Sequence, residues 1–235
     1  MDPDSTTIGF IGTGVMGKSM AGHLINAGYS LHIYTRTKTR AESLIARGAT
    51  WHDTPAGLAR SVNVIFTIVG FPPDVEAVYF GENGILANLR SGSYLIDMTT
   101  SSPELAVRIA EKAREKNCRS LDAPVSGGDV GAKEARLSIM VGGEKEAFDR
   151  ILPLFKLMGQ NIVYQGNAGS GQHCKMCNQI AIASNMLGVC EAMAYARASG
   201  LDPETVLQSI AAGAARARAA AAAPPPSDGP EMDVD

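Results

Sequence analysis

The sequence predicts an α/β fold: a doubly wound, mostly parallel sheet, followed by a long helix from an incomplete all-α second domain. Three observations carry this reading. Short apolar runs of strand character alternate with helical patterns from the start of the chain, which calls for crossover units with helices on both faces of a sheet. The alternation stops after Gly166, where one helical pattern runs on to Gly200. Hydrophobic residues make up 45% of the 235 and charged residues 19%, enough apolar side chain for a buried core.

Taken in order, strands are expected over 7–11, 30–34, 62–69, 93–98, 118–123, 137–141 and 161–164. Helices fall between them near 16–26, 40–46, 74–80, 103–116 and 145–158. Right-handed crossovers leave few ways to connect such a series. The stretch "GSGQHCKMCNQIAIASNMLGVCEAMAYARASG" opens on glycines, and Ile180, Ala183, Leu187, Cys190 and Ala194 recur in it at helical spacing. Asp202 and Pro203 then supply the N-cap and first position of another helix, reaching about residue 212. The composition breaks at "AGAARARAAAAAPPPSDGPEMDVD", whose near lack of large apolar residues cannot build a core. The expected division is a nucleotide-binding domain at 1–165, a long interdomain helix with the start of a helical domain at 166–213, and a disordered tail at 214–235.

Composition narrows the function. A net charge of −3 offers no basic field for nucleic acid or an anionic membrane. Four cysteines do not make a disulfide scaffold. "MDPDSTT" has neither a basic region nor an apolar run before Ile8, so no secretory signal or transit segment is expected and the cytoplasm is the expected compartment, with the mitochondrion as the alternative. The apolar stretch 178–196 is interrupted by Asn178, Gln179, Asn185 and Glu191, which reads as a buried helix and not a membrane span.

The sharpest motif is "GFIGTGVMG". A strand runs into Gly12-Thr13-Gly14-Val15-Met16-Gly17, and a helix follows at once, which is the context of a Rossmann-type dinucleotide fingerprint. Gly12 permits the tight turn, Gly14 lets backbone approach a pyrophosphate, and Gly17 lets the helix pack on the strand. The helix start then offers N–H groups and a partial positive charge to the phosphates. A plain βα turn is the alternative. At the end of the second strand an NAD site places an acidic residue for the ribose 2′-hydroxyl. This chain has "YTRTKTR", so Arg36, Thr37, Lys38 and Arg40 point to the 2′-phosphate of NADP (NADPH), with NAD the second choice. The competing reading of that cluster is a solvated basic helix start.

Two further motifs follow. In "LDAPVSGGDVGA", Ser126, Gly127 and Gly128 can offer a hydroxyl and two backbone N–H groups to a carboxylate, or form an ordinary glycine turn. In "GSGQHCKMCNQ", Lys175 and Asn178 stand at i and i+3 near the start of the long helix. Burial and the helix dipole would both lower a lysine pKa there, suiting a proton donor near neutrality. A surface lysine is the plain alternative.

"GFIGTGVMG", "DMTTSSP", "DAPVSGG" and "GSGQHCKMCNQ", in that order, resemble the β-hydroxyacid dehydrogenase family of 3-hydroxyisobutyrate dehydrogenases and glyoxylate or semialdehyde reductases. The resemblance covers roughly 7–213. It implies Lys175 as the catalytic acid/base, Ser126 to Gly128 on the substrate carboxylate, and Asn178 orienting the substrate. It also implies Thr100 beside the nicotinamide and Val69 on a loop against the cofactor. The partner would be a small carboxylate-bearing aldehyde or hydroxy acid, with no metal. The decarboxylating 6-phosphogluconate dehydrogenases resemble it too, but their matching helix carries Lys-x-x-His-Asn. Here Lys175-Met176-Cys177-Asn178-Gln179 lacks that histidine, favouring an unphosphorylated substrate.

Cys174-x-x-Cys177 with His173 lacks a second ligand pair and lies inside a helical pattern, so no metal or redox role is assigned. His23, His32 and His52 show no metal spacing, and Trp51 reads as an edge-strand packing residue. Family members continue into a helical domain that this chain does not show, and the chain looks C-terminally truncated. Ile180, Ile182, Met186, Leu187 and Val189 are then expected to be partly exposed, favouring a homo-oligomer through the long helix. Two function classes follow: an NADP-dependent oxidoreductase, or a truncated NADP-binding module with little or no activity.

Overall fold

In the computed structural model, residues 1–211 are described. They divide into two compact units, one of Met1–Lys175 and one beginning at Met176. The sequence expectation for 214–235 lies outside the described residues.

The first unit is built on a nine-stranded sheet. Its strands are β1 (Thr7–Ile11), β2 (Ser30–Tyr34), β3 (Thr50–Trp51), β4 (Val64–Thr67), β5 (Tyr94–Asp97), β6 (Arg119–Asp122), β7 (Val125–Ser126), β8 (Leu137–Gly143) and β9 (Gly159–Gly166). The order β3-β2-β1-β4-β5-β6 is parallel throughout. β8 runs antiparallel to β6 and β7, and β9 pairs with β8 in parallel. The sheet is therefore mostly parallel, as its apolar runs imply. The order reverses between β1 and β4, and a ligand crevice belongs outside the carboxyl ends of strands at such a reversal.

Helices α1 (Val15–Asn26), α2 (Glu42–Ile45), α3 (Pro55–Ala59), α4 (Pro72–Phe80), α5 (Pro103–Glu115), α6 (Gly128–Lys133) and α7 (Lys145–Phe155) cover both faces. Alternate residues of each strand point to opposite faces, so the sheet feeds two cores. Ile8, Phe10, Val64, Phe66 and Ile96 join Met20 and Leu24 of α1 and Ile151 and Phe155 of α7. Ile11, Ile65 and Leu95 join Leu58 of α3, Val75 and Tyr79 of α4 and Ile109 of α5. The Phe66 ring stacks on Phe10 and meets Phe155 edge-on, at 6.0 and 6.3 Å.

The helix starts follow local chemistry. Ser102 caps α5 by accepting from Leu105 N at 3.1 Å, and Thr54 caps α3 by accepting from Gly57 N at 3.0 Å. Pro103 and Pro55 take the first helical positions, where no N–H is needed.

Among the strands and α-helices of this unit, four short ones escape the sequence reading: β3, β7, α3 and α6. Two-residue strands have no period to detect, and Gly128 and Gly131 disguise a six-residue helix. β3 is the edge strand, which puts Trp51 at the sheet edge, where its ring lies 5.3 Å from Lys38 Nζ.

The long helix α8 (Ser170–Ala198) crosses from the first unit into the second. Two residues past its end, Gly200 takes a φ of +74°, the left-handed conformation that stops a helix. Asp202 then caps α9 (Pro203–Ala211) by accepting from Thr205 N at 2.9 Å. In this unit Ile180, Met186 and Leu187 are exposed and Ile182 and Val189 half-buried. Among the described residues no helix is long and apolar enough to cross a membrane.

Candidate cofactor and substrate site

The glycine loop closes β1 and opens α1. Gly12 has a φ of +95°, and a Cβ there would stand 2.0 Å from Ile68 O. A Cβ on Gly17 would stand 2.0 Å from Gly12 O, so strand and helix meet too tightly for a side chain. Gly14 is different: a Cβ there would meet nothing within 4 Å. Its backbone borders open space at the helix start, and the first turn of α1 carries no acidic residue to repel an anion. The buried hydroxyl of Thr13 has no hydrogen-bond partner. A tight loop, an open cradle over Gly14 and an acid-free helix start fit a dinucleotide pyrophosphate.

Arg36 follows β2, and its Nη1 lies 3.1 Å from Asp74 Oδ1. Asp74 also takes Phe71 N on its other oxygen at 2.9 Å, at the start of α4. The Arg36 side chain is 71% exposed and so available to a second anion. Thr37 and Lys38 lead into a short 3-10 turn beside it.

The loops after β4 and β5 are tied by a buried acid. Asp97 Oδ1 accepts from Thr67 Oγ1 at 2.9 Å and from Thr99 N at 3.1 Å. The Tyr79 hydroxyl donates to Thr67 Oγ1 at 3.0 Å, since the threonine hydrogen is already given to Asp97. Thr99 Oγ1 accepts from Val69 N at 3.0 Å. Val69 is thus held beside the glycine loop, 3.3 Å from where a Cβ on Gly12 would stand, and exposed Thr100 follows Thr99 in the loop after β5. Burial raises the Asp97 pKa to about 6, partly offset by the bonds from Thr99 and Thr67.

β7 ends at Ser126, and Gly127 and Gly128 follow with φ of +132° and +63°. Lys175, in the first turns of α8, is buried, and its Nζ donates to Val125 O at 2.8 Å. Burial lowers its pKa. The amine and the Ser-Gly-Gly turn therefore occupy one neighbourhood of the first unit. Asn178 lies three residues further along α8, half-buried, in the second unit.

A model of the NAD-binding domain of 6-phosphogluconate dehydrogenase matches residues 7–166. A model of the NAD-binding region of NADP-dependent 3-hydroxyisobutyrate dehydrogenase matches residues 169–226. YkwC, an uncharacterised oxidoreductase of Bacillus subtilis, is 64% identical over 89% of this chain and 73% of its own length. The chain belongs to the β-hydroxyacid dehydrogenase family. The 2-hydroxy-3-oxopropionate reductase of Escherichia coli is 43% identical over 90% of this chain and 72% of its own. A Mycobacterium tuberculosis 3-hydroxyisobutyrate dehydrogenase, solved with L-serine, superposes with a TM-score of 0.81 at 30% identity. That match covers 89% of this chain and 71% of the other. The family assignment carries NAD(P) binding with it, and the crevice at the β1/β4 reversal is where the fold places such a ligand.

In this member of the family, sequence reading misses the groups behind the site: Asp97, Thr99, Asp122 and Gln172. The two acids share one mark, since each closes a strand, the apolar "YLID" and the more polar "RSLD". Thr99 and Gln172 carry no such mark. The Cys174-x-x-Cys177 pair lies within α8, and both thiols are free.

Proposed function

We propose that this chain is an NADP-dependent oxidoreductase that interconverts a short 3-hydroxy acid, or 2-hydroxy acid, with its semialdehyde or keto acid. The observation that carries the reading is the buried Lys175 amine held 2.8 Å from Val125 O, beside the Ser126-Gly127-Gly128 turn. A buried lysine with lowered pKa can exchange a proton near neutrality, where an exposed one stays protonated.

In this reading, backbone amides of Thr13 to Gly17 hold the pyrophosphate, while Val69 and Thr100 border the nicotinamide. Arg36, with Thr37 and Lys38, takes the 2′-phosphate. The nicotinamide, when bound, supplies the hydride. Ser126, Gly127 and Gly128 hold the substrate carboxylate, and Asn178 orients the substrate by the family resemblance. Lys175 Nζ gives a proton to the carbonyl oxygen in reduction and takes it back in oxidation. Lysine and nest together favour a small acid bearing a carbonyl over a neutral aldehyde. We assign self-association to the apolar side chains of α8, notably Ile180 and Leu187, at 68% and 61% exposure, checked by sedimentation.

The test is NADPH oxidation with 2-hydroxy-3-oxopropionate, methylmalonate semialdehyde, succinic semialdehyde and glyoxylate, in the native chain and in Lys175→Ala. The reading requires turnover on at least one acid and a fall of about 100-fold or more in the variant, the scale of a lost acid/base group. NADPH binding without turnover on any of them would instead identify a binding module.

A further inference from the structure

Asp97 and Asp122 end adjacent strands as register partners, but their carboxylates are used differently. Asp122 receives the start of α8. Its Oδ1 accepts from Gly169 N at 2.8 Å and its Oδ2 from Gln172 N at 2.9 Å. Glycines make this approach possible. A Cβ on Gly171 would stand 2.8 Å from Oδ2 and 2.5 Å from Met140 O. A Cβ on Gly142 would stand 2.6 Å from Oδ1.

Gln172 extends the contact. Its buried side chain accepts from Ser101 N and donates to Thr99 O, both at 2.8 Å. One turn later in the helix, Lys175 Nζ reaches Val125 O, which follows Asp122 on the next short strand. Asp122 is therefore joined to the lysine by two short paths, one along the first turns of α8 and one along the chain from β6 to β7. Fixing one carboxylate fixes the helix start and the carbonyl between which the amine is held.

We infer that Asp122 is a positioning residue for Lys175: its two oxygens seat the start of α8 so that the amine is held against Val125 O. The inference rests on the reading of Lys175 as proton donor, but the geometry concerns the amine itself and can be tested without turnover.

Both oxygens of Asp122 are engaged, so Asp122→Asn keeps one acceptor and turns an amide NH2 toward the remaining N–H. An unmet buried amide and a displaced helix start follow. Asp97 is the control, because its hydrogen-bond donors, Thr67 and Thr99, lie on β4 and in the loop after β5 and none belongs to α8.

The experiment is pH-dependent acetylation of the full chain, read at Lys175 by peptide mass spectrometry, with exposed Lys112 as internal reference. In the native chain the Lys175 midpoint is expected below the ordinary lysine value, because burial disfavours the charged amine. Asp122→Asn is expected to raise the Lys175 midpoint by about one pH unit, a tenfold change in the protonation equilibrium. Asp97→Asn is expected to leave it in place. Gly171→Ala retains the carboxylate but pushes the helix off it, and is expected to reproduce the rise, so it carries the test should Asp122→Asn not fold. A Lys175 midpoint in Asp122→Asn and Gly171→Ala equal to the native one overturns the inference. If the midpoint moves but Lys175→Ala keeps full turnover, the proton-donor reading fails while the seating by Asp122 stands. If it stays put while Lys175→Ala is dead, the positioning role alone fails.

Discussion

The Thr67 hydroxyl donates to the Asp97 carboxylate at 2.9 Å in the fully enclosed interior between β4 and β5. That bond helps the ionised acid, but burial outweighs it, and the nearby Asp122 adds like charge. With a folded pKa of about 6 against 3.8 for the free group, the folded chain binds more protons than the unfolded one across roughly pH 4 to 6. This group's contribution to stability therefore falls as pH rises through that window, by about 3 kcal/mol on full charging. Asp97→Asn removes that slope. Urea unfolding at closely spaced pH values checks it, and an unchanged slope in the variant contradicts the assignment.

The Arg36–Asp74 pair is largely exposed and stabilises by at most about 1 kcal/mol, so its value lies in aiming the guanidinium. Under the NADP assignment, Arg36→Ala weakens NADPH binding by about 10- to 100-fold, the scale of a charged hydrogen bond, and leaves NADH nearly unaffected. Fluorescence titration with both coenzymes decides it. Equal weakening of both, or of neither, removes Arg36 from the 2′-phosphate site.

Gly12 and Gly14 separate folding from binding. Gly12→Ala meets both a φ of +95° and backbone oxygen at 2.0 Å, so a loss of roughly 3 kcal/mol or more in stability is expected. Gly14 has a φ of −69° and open space above it, so Gly14→Ala keeps its melting temperature. It should nevertheless lose NADPH affinity by about tenfold or more, because the methyl group occupies the approach of the pyrophosphate. Native-like binding in Gly14→Ala would place the phosphates elsewhere.

His32 Nδ1 and His52 Nε2 lie 2.7 Å apart in stacked rings joining β2 to the turn after β3. Burial lowers both pKa values, reinforced at His32 by the neighbouring imidazole and opposed at His52 by Asp53. The unfolded chain then binds more protons just below pH 6.5, so this stabilisation is present above that pH and lost as pH falls. The sign is opposite to that of Asp97. In an Asp97→Asn background, His52→Gln is expected to flatten the remaining loss of stability between about pH 7 and 5. A loss of the same size in the double variant contradicts it.

Much of this was legible because it is periodic or punctuated. β1 and β2 were readable to the residue, since buried parallel strands are short apolar runs bounded by turns. The loop at Gly12 to Gly17 announces itself by its spacing and by the helix that follows. What escaped depends on residues far apart in sequence. Nothing in "HIY" and "WHD" says that His32 and His52 meet, because that pairing exists only once β3 joins the sheet edge. Gln172 looks like one more polar residue of a helix, yet it bridges Thr99 and Ser101 through contacts set by how closely glycines let α8 approach. Two-residue strands and a glycine-bearing helix of six residues are fixed by tertiary contact and leave no local pattern.

Calorimetric titration of the full chain with NADPH probes the account at its root. Binding heat with one coenzyme per chain is expected, tighter than with NADH and at least about tenfold weaker in Gly14→Ala. Absence of heat with NADPH and NADH alike, from a folded chain, would contradict it.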